Sequence, residues 1–376
     1  GQVDESLSAR PWRGRAASVW PRISAALDDL AAQADLVLVE GAGSPAETNL
    51  ADVDLANLAT ARHLDATALL VTDIDRGGAF AHLFGTWALV DDDARARIAG
   101  FVLNGFRGDP QLLAPAPADL ARRTGVPTIG VLPHLDHHLP DEDGASFQSV
   151  RRPGRRRVAV VRYPTASNLD ELAGVLEVAD VVAATSPAAL SEAELVVLPG
   201  SKHVTSDARW LEHTGVGTAV AQAAAGGVAV LGICGGAQLL GRRIVDVDGV
   251  EGPCGAEVQG LGLLDLHTEL RARKTVDTTT IRLPSDLAGP WRRLAGTEAP
   301  AYEIHHGRTT PDDGDLVWHR DNVLALTAHG LLEDPDVVAT LLGHRPAGLD
   351  ATFDVLADAI DEHLDTRLLE RLVEPR

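Results

Sequence analysis

Ala229-Val230-Leu231-Gly232-Ile233-Cys234-Gly235-Gly236-Ala237-Gln238-Leu239-Leu240-Gly241 is the stretch on which the fold turns. An apolar run of strand length enters a tight glycine turn and leaves as a helix, so a buried strand would present Cys234 at its end. Glycines two positions before and one position after the cysteine let the chain turn sharply, which is the geometry of a nucleophile elbow. The N-terminal end of the following helix favours the thiolate, the reactive form of the side chain. The alternative is a buried structural cysteine beside a glycine turn, since a free cysteine is often simply core.

Two distant segments favour the nucleophile. Leu198-Pro199-Gly200-Ser201 ends an earlier strand with a glycine whose N–H can point at a developing oxyanion, together with the N–H of Gly235. His329, in Leu326-Thr327-Ala328-His329-Gly330-Leu331, follows another short apolar run and suits a general base. In that order the three pieces resemble class I glutamine amidotransferases. The resemblance implies Cys234 as nucleophile, His329 as base, Gly200 and Gly235 as oxyanion donors, and Gln238 with them on the glutamine side. Many members of that class carry a glutamate two residues beyond the histidine, where this chain has Leu331. What orients His329 is therefore left open. His305 and His306 lie in Tyr302-Glu303-Ile304-His305-His306-Gly307-Arg308, similar to a family motif near the active centre, and a structural or substrate-contact role is expected for them rather than catalysis.

Outward from the elbow, strand-length apolar runs alternate with Ala/Leu-rich helical patterns, the signature of parallel sheets covered on both faces. Further strands are expected at Leu36–Val39, Ala68–Thr72, Ile98–Leu103, Thr128–Leu132, Arg157–Tyr163 and Leu195–Leu198, with helices over Val19–Gln33 and Ala116–Arg123. At 376 residues the chain is long enough for two α/β domains. The run Arg151-Arg152-Pro153-Gly154-Arg155-Arg156-Arg157 reads as a solvated linker between them, giving domains over 1–148 and 158–376 with 149–157 between. The formal net charge of −21 argues against a nucleic-acid partner, and no apolar run has the ~20 residues needed to span a bilayer. Two cysteines without metal-like spacing fit a reducing, cytoplasmic compartment. His134, His137 and His138 suggest a metal only weakly, because no carboxylate or cysteine completes a known pattern.

The first half carries a second informative stretch, Leu36-Val37-Leu38-Val39-Glu40-Gly41-Ala42-Gly43-Ser44-Pro45-Ala46-Glu47, with an acidic residue and a glycine loop after an apolar run. Ligands of open α/β sheets bind at such carboxyl ends, and a carboxylate there suits Mg²⁺ on nucleotide phosphates. Val71-Thr72-Asp73-Ile74-Asp75-Arg76-Gly77-Gly78 and Val102-Leu103-Asn104-Gly105-Phe106-Arg107-Gly108-Asp109 repeat the pattern at two more strand ends. Together these motifs resemble the dethiobiotin-synthetase-like domain of cobyric acid synthases, and the resemblance runs on through Tyr163-Pro164-Thr165-Ala166-Ser167-Asn168 to His329. It implies that Glu40 ligates Mg²⁺, that Asn104 lies where adenine is recognised, and that Asp73, Asp75 and Arg76 face phosphates or a substrate carboxylate. Solvated turn charges are the plain alternative for those three.

ATP-using relatives open with a P-loop, and neither Lys202 nor Lys274 fits one. The chain contains no Met, so an upstream segment bearing that loop is expected. The implied reaction uses glutamine, ATP and Mg²⁺, with no tightly bound prosthetic group, to amidate the b, d, e and g carboxylates of a corrinoid, adenosylcobyrinic acid a,c-diamide. The rivals are a glutaminase serving another carboxylate ligase, a truncated and silent fragment, and a cysteine hydrolase built on the same elbow.

Overall fold

The computed structural model describes residues 10–135, 147–311 and 316–373. Its backbone gathers into two compact units, Gly1–Asp136 with Phe353–Arg376, and His137–Thr352.

In the first unit, helix α1 (Trp12–Gln33) precedes strand β1 (Ala68–Asp73), helix α2 (Ala79–Leu89), strand β2 (Ile98–Phe106), helix α3 (Ala116–Thr124) and strand β3 (Thr128–Pro133). The three strands are parallel in the order β1-β2-β3. Gly78 before α2 and Gly125 after α3 both have positive φ, so glycine starts one helix and ends the other. Ala79 and Leu83 of α2, Leu120 of α3, and Phe101 and Leu103 of β2 form the core between helices and sheet. The expectation of a strand over Leu36–Val39 is not met. That segment has no ladder partner among the described residues, and Leu38 is 87% exposed. Strand propensity expresses packing on a sheet face, and without a neighbouring strand the apolar run has nothing to pair with.

The second unit is built on a six-stranded sheet. Its strands are β4 (Arg157–Val161), β5 (Asp180–Ala184), β6 (Leu195–Leu198), β7 (Ala229–Ile233), β12 (Val317–Arg320) and β13 (Val323–Leu326), in the order β12-β13-β7-β6-β4-β5. All neighbours are parallel except β12 with β13. Leu195–Leu198 and Ala229–Ile233 are buried at every position, as expected for parallel strands covered on both faces. Helices α4 (Ala173–Val178), α5 (Val204–Thr214), α6 (Val216–Ala225) and α8 (Pro335–Leu342) contribute to the two apolar layers on either side. A short helix α7 (Gly235–Leu240) follows β7 directly.

A second sheet of four strands holds β8 (Arg243–Asp246), β9 (Ala256–Gln259), β10 (His267–Arg282) and β11 (Glu298–Thr310), in the order β9-β8-β10-β11. The stretch 149–157 is held against this second unit: Val150 bridges Val181 of β5, the Arg152 amide donates to Asp180, and Arg156 donates to the Leu341 carbonyl. No described helix is long and apolar enough to cross a membrane.

Candidate active site

Cys234 sits between β7 and α7 with φ 52° and ψ −108°, a left-handed conformation that a side chain adopts at a cost of about 1–3 kcal/mol. The neighbouring glycines hold it there. A Cβ on Gly236 would lie 1.9 Å from the Leu198 carbonyl oxygen, and one on Gly235 would lie 2.7 Å from the Ser201 amide nitrogen. The elbow is thus pressed backbone to backbone against the end of β6, at the loop that carries Gly200. Gly235 is the first residue of α7, so its N–H has no acceptor within the helix.

Gly200 and Ser201 form a two-residue antiparallel ladder with Ala166 and Ser167. Beneath it lies a buried polar network. Asp207 of α5 is fully buried and its Oδ2 accepts from the Thr165 hydroxyl at 2.6 Å and the Ser201 hydroxyl at 2.7 Å. The Thr165 hydroxyl in turn accepts from the His203 amide at 3.0 Å, and Tyr163 donates to the Pro199 carbonyl. Burial pushes the Asp207 carboxyl up from its ordinary range, and the hydroxyl donors pull it back. Asp207→Ala strips both hydroxyls of their acceptor, an expected loss of about 1–3 kcal/mol on the urea-unfolding midpoint. Because the same network sets Gly200, any turnover at Cys234 should slow as well.

His329 is fully buried just beyond β13. A Cβ on Gly200 would come within 3.1 Å of its Cε1, which puts the imidazole directly against the oxyanion loop. Its Nε2 is buried without a hydrogen-bond partner among the described residues, and the ring is electrostatically coupled to Cys234. Its Nδ1 lies 2.9 Å from Oε2 of Glu171, which is 2% exposed. Tyr302 of β11 stacks on the imidazole, with ring centroids 5.3 Å apart, and exchanges two backbone hydrogen bonds with His329. Burial pushes the His329 pKa down, but the Cys234 and Glu171 contacts outweigh it and raise the pKa to about 10. At neutral pH the imidazole therefore holds a proton on the ring nitrogen nearest the reaction.

The structure brings Cys234, His329, Gly200 and Gly235 into one cluster, and Gln238 joins them from α7. The Gln238 side-chain amide donates to the His306 carbonyl at 3.4 Å, and the Cys234 thiol lies 3.9 Å from the Ile304 carbonyl. Backbone rather than imidazole groups of the Tyr302–His306 segment thus approach the nucleophile. The His305 ring is turned to Glu303 at 3.0 Å. Sequence reasoning missed Glu171 and Tyr302 as neighbours of the histidine, and also missed Asp207. The one available signal was the acidic pair Asp170-Glu171, one residue beyond the Tyr163–Asn168 motif.

In the first unit, Asp73 ends β1 opposite Asn104 of β2, so both stand at the carboxyl edge of the sheet. Asp73 accepts from the Asp75 amide at 2.8 Å and lies 3.5 Å from Arg76, while Asp75 pairs with Arg107 at 3.3 Å. Glu40 is exposed in irregular backbone, with no bond to that group. Among the described residues no cluster of His, Cys, Asp or Glu is arranged to hold a metal ion. His134 contacts Arg107, and His137 and His138 lie outside the described residues.

Residues 157–342 match a CobB/CobQ-like glutamine amidotransferase domain, and residues 15–140 match an AAA domain. The chain thus carries a glutamine amidotransferase domain beside an AAA domain. It is 48% identical to a cobyric acid synthase of Variovorax paradoxus (strain S110), over 99% of this chain and 81% of that protein. A cobyric acid synthase of Acidovorax ebreus (strain TPSY) is also 48% identical, over 99% of this chain and 78% of its own length. This chain belongs to the cobyric acid synthase family, whose members carry out glutamine-dependent amidation in cobalamin biosynthesis.

Proposed function

We propose that the chain amidates the b, d, e and g carboxylates of adenosylcobyrinic acid a,c-diamide to give adenosylcobyric acid, hydrolysing glutamine through a thioester on Cys234 and using ATP to activate each carboxylate. The observation that carries the glutaminase half is the strained Cys234 at a strand-to-helix turn, coupled to a buried His329 and flanked by Gly200 and Gly235.

The chemistry follows from the protons. His329 holds the proton taken from the Cys234 thiol, and the sulfur attacks the side-chain amide carbon of glutamine. The tetrahedral oxyanion lies between the N–H groups of Gly200 and Gly235. His329 returns its proton to the departing nitrogen, ammonia leaves, and a thioester remains. Water then attacks the thioester as His329 takes its proton, releasing glutamate.

In this reading residues 158–376 carry the glutaminase and residues 1–148 the ligase. Asp73, Asp75, Arg76 and Asn104 are the groups for nucleotide or substrate at the edge of the first sheet. Glu40 belongs to no cluster of three or more His, Cys, Asp or Glu among the described residues, so no step is assigned to Mg²⁺ there.

The test supplies glutamine labelled in its amide nitrogen, with ATP and the corrinoid diamide, and follows the corrinoid by mass spectrometry. Stepwise appearance of labelled carboxamides is the expected result. Glutamate release without any corrinoid product would instead point to a glutaminase serving another ligase, or to a fragment whose ligase half lacks its P-loop.

A further inference from the structure

Resting on the glutaminase reading and deepening it, we propose that Glu171 is the positioning carboxylate of a Cys234–His329–Glu171 triad. It arrives from a turn after β4 rather than from the position two residues beyond the histidine.

That usual position is filled by Leu331, which is fully buried in the apolar core and brings no charge to His329. The carboxylate comes instead from the turn Leu169–Leu172, which the chain enters through Asn168 in a left-handed conformation. Each oxygen of Glu171 has its own donor. Oε2 meets His329 Nδ1 at 2.9 Å, and Oε1 accepts from the Gly330 amide at 3.1 Å. A carboxylate only accepts, so Nδ1 must carry hydrogen and Nε2 is left facing Cys234. The second bond pins the main chain next to the imidazole. Gly330 has φ +108°, and a Cβ there would meet the Pro300 carbonyl oxygen at 2.8 Å, so that backbone has little room to reset.

Glu171 is also the only carboxylate ion-paired with the imidazole among the described residues. The other groups facing His329 are Cys234 from the elbow, Tyr302 stacked from β11, and the more distant Glu333. Tyr302 brings no charge at neutral pH, because burial pushes its hydroxyl well above the ordinary range. Burial, then the charges of Glu171 and Asp170, likewise push the Glu333 carboxyl up. Glu171 is therefore the carboxylate in direct contact with the ring.

The experiment compares Glu171→Gln and Glu171→Asp with the parent chain, with Asp170→Asn as the neighbouring control. Glutamate release is measured as kcat and KM across pH, and folding by thermal melting. Glu171→Gln should lower kcat by about 10²–10⁴-fold, because the amide can present a donor to Nδ1 and select the wrong tautomer. The KM for glutamine should hold within about threefold. His329 loses its protonated form as pH rises through about 10 in the parent. Without the Glu171 charge, the alkaline limb of kcat should move to lower pH. Glu171→Asp should keep the limb and recover part of kcat, and Asp170→Asn should match the parent. A Glu171→Gln protein with parental kcat and an unmoved limb would overturn the proposal, even if it melted lower.

A second readout does not depend on glutamine turnover. In a Cys254→Ser background, which removes the exposed cysteine, iodoacetamide reports on Cys234 alone. Glu171→Gln should slow that alkylation at neutral pH by about tenfold, because the oriented imidazole is the group that takes the thiol proton. Slowed alkylation in a chain that releases no glutamate would sink the glutaminase reading and leave the triad standing. Unchanged alkylation would sink the triad.

Discussion

Cys234→Ala should stop glutamate release from glutamine, lowering it by about 10⁴-fold or more, because nothing else at the site can form the thioester. The fold should survive, since alanine keeps the buried volume nearly filled and the glycine contacts around the elbow are untouched. Corrinoid amidation should then fail with glutamine yet proceed with high ammonium chloride, which bypasses the missing nucleophile. Steady-state glutamate release and corrinoid mass spectra on the same preparation decide the matter. A variant that keeps a hundredth of the parental release would remove Cys234 from the chemistry.

Gly236→Ala should have the largest effect on stability. Its Cβ would lie 1.9 Å from the oxygen and 2.6 Å from the carbon of the Leu198 carbonyl, both main-chain atoms at the end of β6. Neither side can yield without breaking the β6–β7 ladder, where Leu198 pairs with Gly232. An expected loss of about 4 kcal/mol or more, against a typical total stability of about 5–15 kcal/mol, would leave little folded protein. Gly14→Ala in α1 is the control. A Cβ there meets nothing within 4 Å, and exchanging glycine for alanine inside a helix is worth up to about 1 kcal/mol in the stabilising direction. Denaturant midpoints of the two variants should therefore move in opposite directions, and a Gly236→Ala protein as stable as the parent would contradict the packing described here.

The elbow was legible because its signal is local. A strand-length apolar run, two glycines and a cysteine fix strand, turn and helix within a few residues, and β7 and α7 follow that pattern closely. Gly200 and His329 were legible for the same reason, each at the end of a short apolar run. Glu171 was not, because its meaning depends on a partner 158 residues away, and an acidic residue in a turn reads as solvated. Asp207 was hidden likewise, since one acidic residue in the first turn of a helix reads as an ordinary dipole partner until Thr165 and Ser201 close over it. Leu36–Val39 failed in the opposite sense. Its residue types satisfy a strand pattern, but pairing is decided by neighbours the segment does not itself contain.

The distance along the chain between Glu171 and His329 bears on when ammonia can first be made. Nucleophile, base and orienting carboxylate stand on separate crossings of one sheet, and the histidine is the last of them to be synthesised. A nascent polypeptide that has already exposed its thiol cannot spend the cell's glutamine, because the group that would govern its protons has not yet emerged. The order of residues thus ties nitrogen release to completion of the sheet, and a protein that misassembles there falls silent instead of leaking ammonia.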